Sequence, residues 1–280
     1  MISGWKWSFP EMYFLTNDML ITGASKGNQE KWYDAESDRW YKLDQFGYEA
    51  LSETFVSILL EHSNLKADTP FQFVTYQMER IKRNSAELVG CSSGNFLKAG
   101  QSIITVGSLL KKGLTAQELK AFANTTSLSG KIEQLAKIVS ELTQLEYFPQ
   151  YLTLLFEIDS LCLNDDRHLN NIAVIEDANG FSYCPIFDHG AALLSNLVIG
   201  SLSLKPASLH PFLSALPFGV NFSEQASAAR QLFGAQLRLP IFSKSELRKL
   251  VSPLTDYYRP AYRATIADRV ITTILIRQSL

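Results

Sequence analysis

The chain has 280 residues, of which 46% are hydrophobic and 19% are charged, a balance that excludes intrinsic disorder as the main state. The length allows one large domain or two lobes of ordinary size, and we favour two lobes. The formal net charge of −2 excludes the strongly basic character of proteins whose main partner is nucleic acid or an anionic membrane.

The first part of the chain predicts a β-rich lobe. Residues 13–43 alternate aromatic runs with Gly, Asn and Asp turns, which indicates short strands. Residues 50–64 change to a helical period and predict an amphipathic helix. Alternation returns over residues 71–90, and residues 101–110 predict a last apolar strand. The first lobe is therefore expected to span residues 1–106.

Residues 107–280 predict a mainly helical second lobe. Apolar residues recur at helical spacing over residues 131–145, and residues 151–163 are apolar nearly all round, as in a buried helix. Further along, "NIAVI" and "FSYCPIF" flank the turn "EDANG", where the Asn179-Gly180 pair predicts a tight β-hairpin with positive φ. The remainder contains helical signals over residues 223–234 and 244–276. The fold class predicted is α+β.

The cysteines and the apolar runs bear on the compartment. Cys91, Cys162 and Cys184 are isolated and lack CxxC spacing, which favours a reducing compartment over a disulfide framework or a zinc site. No run approaches the ~20 apolar residues of a membrane helix, and the start of the chain lacks a signal-peptide core. We therefore expect a cytoplasmic protein without a membrane partner; secretion without a cleavable signal stays open.

The stretch "LCLNDDRHLNNIAVI", residues 161–175, concentrates polar chemistry between two apolar runs. Asp166 and Asn171 are five apart in a loop that leads into the hairpin, and Asp188 follows the second hairpin strand. A hairpin returns the chain to its starting end, so these three residues are expected to converge. Two carboxylates and an amide are hard oxygen ligands of the kind that Mg²⁺ takes.

The order of these residues also points to phosphoryl transfer. The recurring parts are an Asp for the attacking hydroxyl, an Asn five residues later for a metal, and an Asp-x-Gly for the same metals. Asp166, Asn171 and the "DHG" that begins at Asp188 match this order. The alternative is a solvated Asn/Asp turn, but such a turn requires neither the Arg167-His168 pair nor the Asp-x-Gly.

Phosphoryl transfer also needs a cation on the phosphates and a cover over them, both upstream. "GASKGNQEKW", residues 23–32, is a flexible turn that can present backbone N–H groups to phosphate. In "DRWYKLD", Lys42 lies on a predicted strand, and the helix that follows carries Glu53. A strand lysine paired with a glutamate of the next helix is how kinases fix the phosphate-binding cation. Glu49 is the competing partner; we favour Glu53 because it lies within the helix proper.

"DDRHLNNIAVI" followed by "YCPIFDHGAALLS" resembles the catalytic core of the HipA-like protein kinases, including the secreted bacterial kinase CtkA. It also resembles the DRHxxN and DFG elements of phosphatidylinositol 3- and 4-kinases, which share that architecture. "GASKGNQEKWYDAESDRWYKL" and "ALSETFVSILLEHSN" are similar to the glycine loop, phosphate-lysine strand and Glu-bearing helix of the group. The resemblance covers about residues 20–195 and implies a two-lobed protein-kinase-like fold. The order is Asp-Arg-His, not the His-Arg-Asp of ordinary eukaryotic protein kinases, and the Ala-Pro-Glu motif of those kinases is not present downstream.

The resemblance implies ATP and Mg²⁺ as cofactors and a role for each matching residue. Asp166 would be the catalytic aspartate, with Arg167 and His168 supporting its loop, and Asn171 and Asp188 would hold the metal. The ATP side would be formed by Lys42, Glu53, Gly23, Ser25 and Gly27. Ser25 would also be a candidate for autophosphorylation, as on the glycine loop of HipA-like kinases.

The function predicted is an ATP- and Mg²⁺-dependent protein serine/threonine kinase of HipA and CtkA type from a bacterium. It would transfer the γ-phosphate of ATP to a protein hydroxyl and also phosphorylate itself. The alternatives are a lipid or small-molecule kinase of the same fold and a nucleotide-binding pseudokinase. Because the chain starts almost at the strands of the first lobe, an antitoxin or regulatory partner is expected as a separate chain. Direct nucleic-acid binding is not expected.

Overall fold

The computed structural model describes residues 12–14 and 30–279. Within these ranges the chain has a mixed α/β fold with two sheets and a large helical part. The predicted glycine-loop residues Gly23, Ser25 and Gly27 lie outside the described residues. Both sheets and the central helices contribute to the position of the candidate site.

A five-stranded sheet contains the strands that the sequence predicts in the first lobe. Its strands run in the order β1-β4-β5-β3-β2. They are β1 (Met12–Phe14), β2 (Lys31–Asp34), β3 (Arg39–Leu43), β4 (Tyr76–Arg83) and β5 (Ala86–Gly94). β1 is parallel to β4, and the other pairs are antiparallel. Because successive strand residues point to opposite faces, Tyr41 and Leu43 enter a small core with Trp32, and Lys42 faces the other way.

Helix α1 (Glu49–Glu61) packs on β4 and β5 and is buried on nearly every side, including at Ser52 and Glu53. The prediction of an amphipathic helix was therefore wrong about an exposed face. A later helix, α9 (Lys244–Thr255), covers α1 from a distant part of the chain. Periodicity within residues 50–64 carries no information about that cover, because the covering residues lie almost two hundred positions away.

A second sheet holds the predicted hairpin. It consists of β6 (Ser102–Thr105), β7 (Ala173–Asp177) and β8 (Gly180–Tyr183) in antiparallel order. Positive φ, 117°, occurs at Gly180 and not at Asn179. The predicted strand over residues 101–110 ends at Thr105, whose side chain caps the next helix. β6 thus joins the hairpin sheet; the division at residue 106 stays a prediction.

The other helices form the rest of the fold around a central buried helix. They are α2 (Leu65–Asp68), α3 (Val106–Gly113), α4 (Ala116–Ala123), α5 (Leu128–Thr143), α6 (Phe148–Cys162), α7 (Pro206–Leu209), α8 (Phe222–Phe233) and α10 (Pro260–Arg277). α6 packs against α5, α8 and α10 and is buried nearly all round, as the sequence predicts. Within the described residues, no helix is long and apolar enough to cross a membrane.

The segment after Asp188 is held against the start of α1. The hydroxyl of Tyr48 donates to the Leu193 carbonyl at 2.7 Å, and the hydroxyl of Ser52 donates to the Ala192 carbonyl at 2.9 Å. Asp188 and Leu193 have φ of 66° and 58°, values that cost energy in residues other than glycine. Several independent contacts thus hold an unfavourable backbone in place.

Gly47 provides a test of this close approach. A Cβ atom at Gly47 would lie 1.9 Å from the backbone oxygen of Ser195, whereas one at Gly94 would meet nothing within 4 Å. We expect Gly47→Ala to lower the free energy of unfolding by roughly 1–3 kcal/mol, the usual cost of overpacking. Gly94→Ala is the matched control and should lie within about 0.5 kcal/mol of wild type. Urea unfolding of both variants measures this; equal stabilities would contradict the tight contact.

Candidate active site

The loop after α6 brings Asp166 and Asn171 together. The Asn171 amide nitrogen donates to the backbone oxygen of Asp166 at 2.8 Å and to its carboxylate at 3.2 Å. This orientation leaves the Asn171 amide oxygen without a hydrogen bond in the described structure. The Asp166 side chain is 55% exposed and so remains accessible to a substrate.

Arg167 connects this loop to the residue before Asp188. Its guanidinium is 1% exposed and pairs with Asp159 of α6 at 3.0 Å. The Nη1 atom donates to the backbone oxygens of Asn171 and Phe187, both at 2.9 Å. Burial opposes the charge of Arg167, but Asp159 outweighs burial and raises the pKa of Arg167. One buried ion pair therefore anchors the loop and the end of the hairpin to the central helix.

Asp188 faces two lysines from the five-stranded sheet. Lys42 Nζ lies 2.7 Å from Asp188 Oδ1, and Lys31 Nζ lies 4.0 Å from Oδ2. Lys31 stands opposite Lys42 in the β2–β3 register, which explains why both reach the same carboxylate. Burial alone would raise the pKa of Asp188, but the two lysines lower it well below its usual range. Asp188 is therefore ionised at neutral pH.

The structure places Glu53, and not Glu49, beside Lys42. Glu53 is fully buried; Oε1 accepts a hydrogen bond from Lys42, and Oε2 accepts one from the backbone N–H of His189 at 2.7 Å. Glu49 instead accepts from the backbone N–H groups of Phe46 and Gly47 at the start of α1. Glu53 therefore fixes both the lysine and the backbone next to Asp188.

His168 lies beside the exposed carboxylate of Asp166. The His168 Nε2 atom is 3.7 Å from Asp166 Oδ1, and the backbone N–H of His168 donates to the Asp166 carbonyl at 2.8 Å. Burial and the charge of Asp188 raise the pKa of Asp166, while His168 and Asn171 oppose the rise. A carboxylate with a raised pKa binds a proton more readily, which suits a group that receives one from a hydroxyl.

The donor set fits a hard divalent cation. Among the described residues, no group of three His, Cys, Asp or Glu side chains could hold a metal ion. However, the Asp188 carboxylate and the free amide oxygen of Asn171 are the oxygen ligands that Mg²⁺ accepts, with its other positions filled by phosphate oxygens and water. Asp188 is ionised, as a metal ligand must be.

Three contributors were missed from sequence: Asp159, Lys31 and the backbone N–H of His189. For Asp159 a signal existed. Glu157 and Asp159 interrupt a helix that is otherwise apolar, and a buried carboxylate needs a cationic partner. From sequence alone Lys31 is expected to be a solvated charge, because its proximity to Asp188 depends on strand register and on the position of the second sheet.

Asp165 supplies a pH-dependent test of the loop. Burial, assisted by the charge of Asp166, raises the pKa of Asp165 to about 6. The folded state therefore binds this proton more tightly than the unfolded state, and stability should fall as pH rises from about 4 to about 6. Asp165→Asn should remove that part of the pH dependence and raise the melting temperature at pH 7 but not at pH 4. Equal effects at both pH values, measured with chelator present, would contradict this.

No family model and no curated protein match the chain. The fold is nevertheless shared with solved structures and is of the CtkA type. The chain is similar to the crystal structure of the Helicobacter pylori proinflammatory kinase CtkA, with 14% identity, a TM-score of 0.60, and coverage of 91% of this chain and 88% of that one.

A second similar structure is the Shewanella oneidensis HipA in complex with HipB and operator DNA. The identity is 12% and the TM-score is 0.48, and the match covers 90% of this chain but only 63% of that chain. At these identities the comparison with CtkA shows the fold alone. The two-lobed arrangement and the motif sharing with phosphatidylinositol kinases stay predictions.

Proposed function

We propose that the chain is an ATP- and Mg²⁺-dependent protein serine/threonine kinase of HipA and CtkA type, with ATP bound between two lobes. The observation that carries the proposal is the ion network in which Lys42 contacts both Glu53 and Asp188. Arg167 connects this network to the loop that holds Asp166 and Asn171. The CtkA-type fold supports it.

Each residue then has a chemical task. Lys42, held by Glu53, binds ATP phosphate oxygens, and Asp166 orients the acceptor hydroxyl and receives its proton. Asn171 and Asp188 would hold Mg²⁺, which supplies charge neutralisation on the phosphates when bound. Arg167 is a positioning residue, because it contacts the loop and not the substrate. His168 supports the loop beside Asp166.

A separate antitoxin or regulatory chain is part of this proposal. The HipA structure contains HipB and operator DNA, and those partners belong to that protein. Autophosphorylation at Ser25 is likewise proposed from the resemblance of residues 23–32 to a glycine loop. The expectation of no direct nucleic-acid contact stays a prediction.

Intact-mass spectrometry with Mg²⁺ and ATP tests the function. The wild-type chain and Asp166→Ala are incubated alone and then with a panel of proteins, lipid headgroups and aminoglycosides. Phosphate added to the chain or to a protein by wild type only supports the proposal. Transfer only to a lipid or small molecule would replace it with the corresponding kinase, and ATP binding without any transfer would indicate a pseudokinase.

Two glutamates of α1 give a matched prediction. Glu53→Gln removes the charge that holds Lys42, so we expect kcat/KM for ATP to fall by about 10–100-fold, the scale of a lost charge-assisted contact. Glu49→Gln changes the same group four residues earlier, at a helix start away from Lys42, and should leave ATP use unchanged. Steady-state kinetics with varied ATP separates the two; equal losses would assign the effect to α1 stability.

A further inference from the structure

A pocket of about 200 Å³ lies in the helical part, away from the proposed kinase site. It is bounded by α6, α8, α10 and the segment 234–241, and none of the residues assigned to ATP, metal or catalysis lines it. Its polar lining consists of Glu157, Ser160, Ser223, Ser227, Arg230, Arg277 and Gln278, the last of which is paired with the backbone of Phe242. Leu237, Leu239 and Ile241 form an apolar wall, and Ile241 is 84% exposed.

Glu157 is the acidic residue of this pocket within the described part of the chain, and three hydrogen bonds occupy most of its acceptor capacity. It is almost fully buried and accepts from Arg230 Nε at 2.6 Å. It also accepts from the backbone N–H groups of Gln236 and Leu237, at 2.9 and 2.7 Å. Glu157 therefore neutralises Arg230 and anchors the wall segment, and it offers little to a ligand.

Arg277 brings a positive charge that no carboxylate of the described residues compensates. Its Nε donates to the Ser160 carbonyl, and its Nη2 donates to the hydroxyl oxygens of Ser160 at 2.7 Å and Ser223 at 3.0 Å. Neutral oxygens thus hold a half-buried guanidinium. A buried charge without a counter-charge is unfavourable, and a bound anion would relieve it.

The remaining hydrogen-bond capacity of the pocket consists mainly of donors. Because Arg277 occupies a lone pair on each hydroxyl, Ser160 and Ser223 can direct their O–H groups to a ligand. Arg277 Nη1 and both Nη atoms of Arg230 make no hydrogen bond in the structure as described. Ser223 also lies in the first turn of α8, where the helix dipole favours negative charge.

We propose that this pocket binds an oxyanion, a phosphate or carboxylate group, carried by a small ligand whose apolar part rests on Leu237, Leu239 and Ile241. Two guanidinium groups and one carboxylate leave one positive charge for the ligand to neutralise. Arginine pairs with both kinds of oxyanion through two parallel hydrogen bonds. The volume is many times that needed for a single water molecule, so the pocket has room for a small ligand.

Two variants of opposite charge at Ser227 test the proposal without altering the buried contacts. Ser227 lines the pocket, is exposed and makes no side-chain hydrogen bond in the described structure. Ser227→Glu should weaken anion binding at least about fivefold, because it adds a negative charge near the anion, and Ser227→Lys should strengthen binding, because it adds a positive one. Both variants should keep the wild-type melting temperature.

Isothermal titration with inorganic phosphate, phenyl phosphate and N-acetylleucine distinguishes the ligand sources. Tighter binding of phenyl phosphate than of inorganic phosphate supports the apolar wall, and a preference for N-acetylleucine assigns the group as a carboxylate. Saturable binding that responds in opposite directions to the two Ser227 variants supports the site. Absence of saturable binding at millimolar concentrations overturns it, as does binding that ignores both variants, since the anion would then lie elsewhere, for example beside Lys42.

A second comparison removes one guanidinium at a time. Arg277→Gln should reduce anion affinity at least tenfold, the scale of a lost charge-assisted contact, whereas Arg248→Gln should not. Arg248 pairs with Asp268 on the exposed surface, outside the pocket. Circular dichroism checks that both variants are folded. Equal affinities of the two folded variants would overturn the role of Arg277, and the Ser227 pair tests the site if Arg277→Gln does not fold.

Discussion

Asp166→Asn is expected to slow phosphoryl transfer by about 10²–10⁴-fold, the range for loss of a positioned acid–base group. The amide cannot take the proton of an acceptor hydroxyl, although it keeps the shape of the carboxylate. Asp166 is 55% exposed and holds its loop chiefly through its backbone oxygen, which Asn171 contacts at 2.8 Å. The fold and ATP affinity should therefore be retained. Single-turnover transfer and equilibrium ATP binding measure the two quantities separately.

The adjacent aspartate is the control for that substitution. Asp165→Asn removes a carboxylate from the same loop. Asp165 makes none of the contacts that connect Asp166 to Asn171, so the rate of phosphoryl transfer should stay close to that of the wild type. A similar loss in both variants would mean that the loop responds to its total charge. Retained transfer in Asp166→Asn would remove the proton-accepting role from this residue.

Arg167→Met should produce the largest loss of stability, about 3–5 kcal/mol. The substitution leaves the buried carboxylate of Asp159 without its cationic partner and deprives the carbonyls of Asn171 and Phe187 of a donor. For a chain of this size, the loss corresponds to a melting temperature lower by about 10 °C. Thermal unfolding followed by circular dichroism measures it.

Two further variants distinguish the loss of the buried ion pair from the loss of one positive charge. Adding Asp159→Leu to Arg167→Met removes the unpaired carboxylate and should recover a large part of the lost stability. Arg248→Met breaks an exposed pair with Asp268 and should cost at most about 1 kcal/mol. If Arg167→Met were no worse than Arg248→Met, the buried pair would not anchor the loop.

The sequence predicted those features that depend on short-range pattern. The helical period over residues 131–145 and the apolar run at α6 gave two helices, and the turn before Gly180 gave the hairpin. The approach of Asp188 to the loop of Asp166 was expected from hairpin geometry. The contact of Lys42 with Glu53 was expected from the lysine–glutamate pair of kinases. Glu53 was favoured over Glu49 because it lies within the helix proper.

The remaining features depend on residues far apart in sequence. The cover that α9 places on α1, the pairing of β6 with the hairpin and the approach of Lys31 to Asp188 each join segments separated by dozens of residues or more. Arg167 was assigned a supporting role, but its partner Asp159 could be found only by asking which cation satisfies a carboxylate within an apolar helix. Local periodicity does not answer that question.

The hydrogen bonds between the start of α1 and the segment after Asp188 also determine how the site can open. Tyr48 and Ser52 bind backbone oxygens of that segment, and Glu53, on the same helix, binds the backbone N–H of His189. Displacing the segment would break all three contacts at once, so the helix and the segment should open as one cooperative unit. In hydrogen-exchange experiments, amides of both elements should then share one opening free energy, and a nucleotide bound at Lys42 should slow exchange in both together.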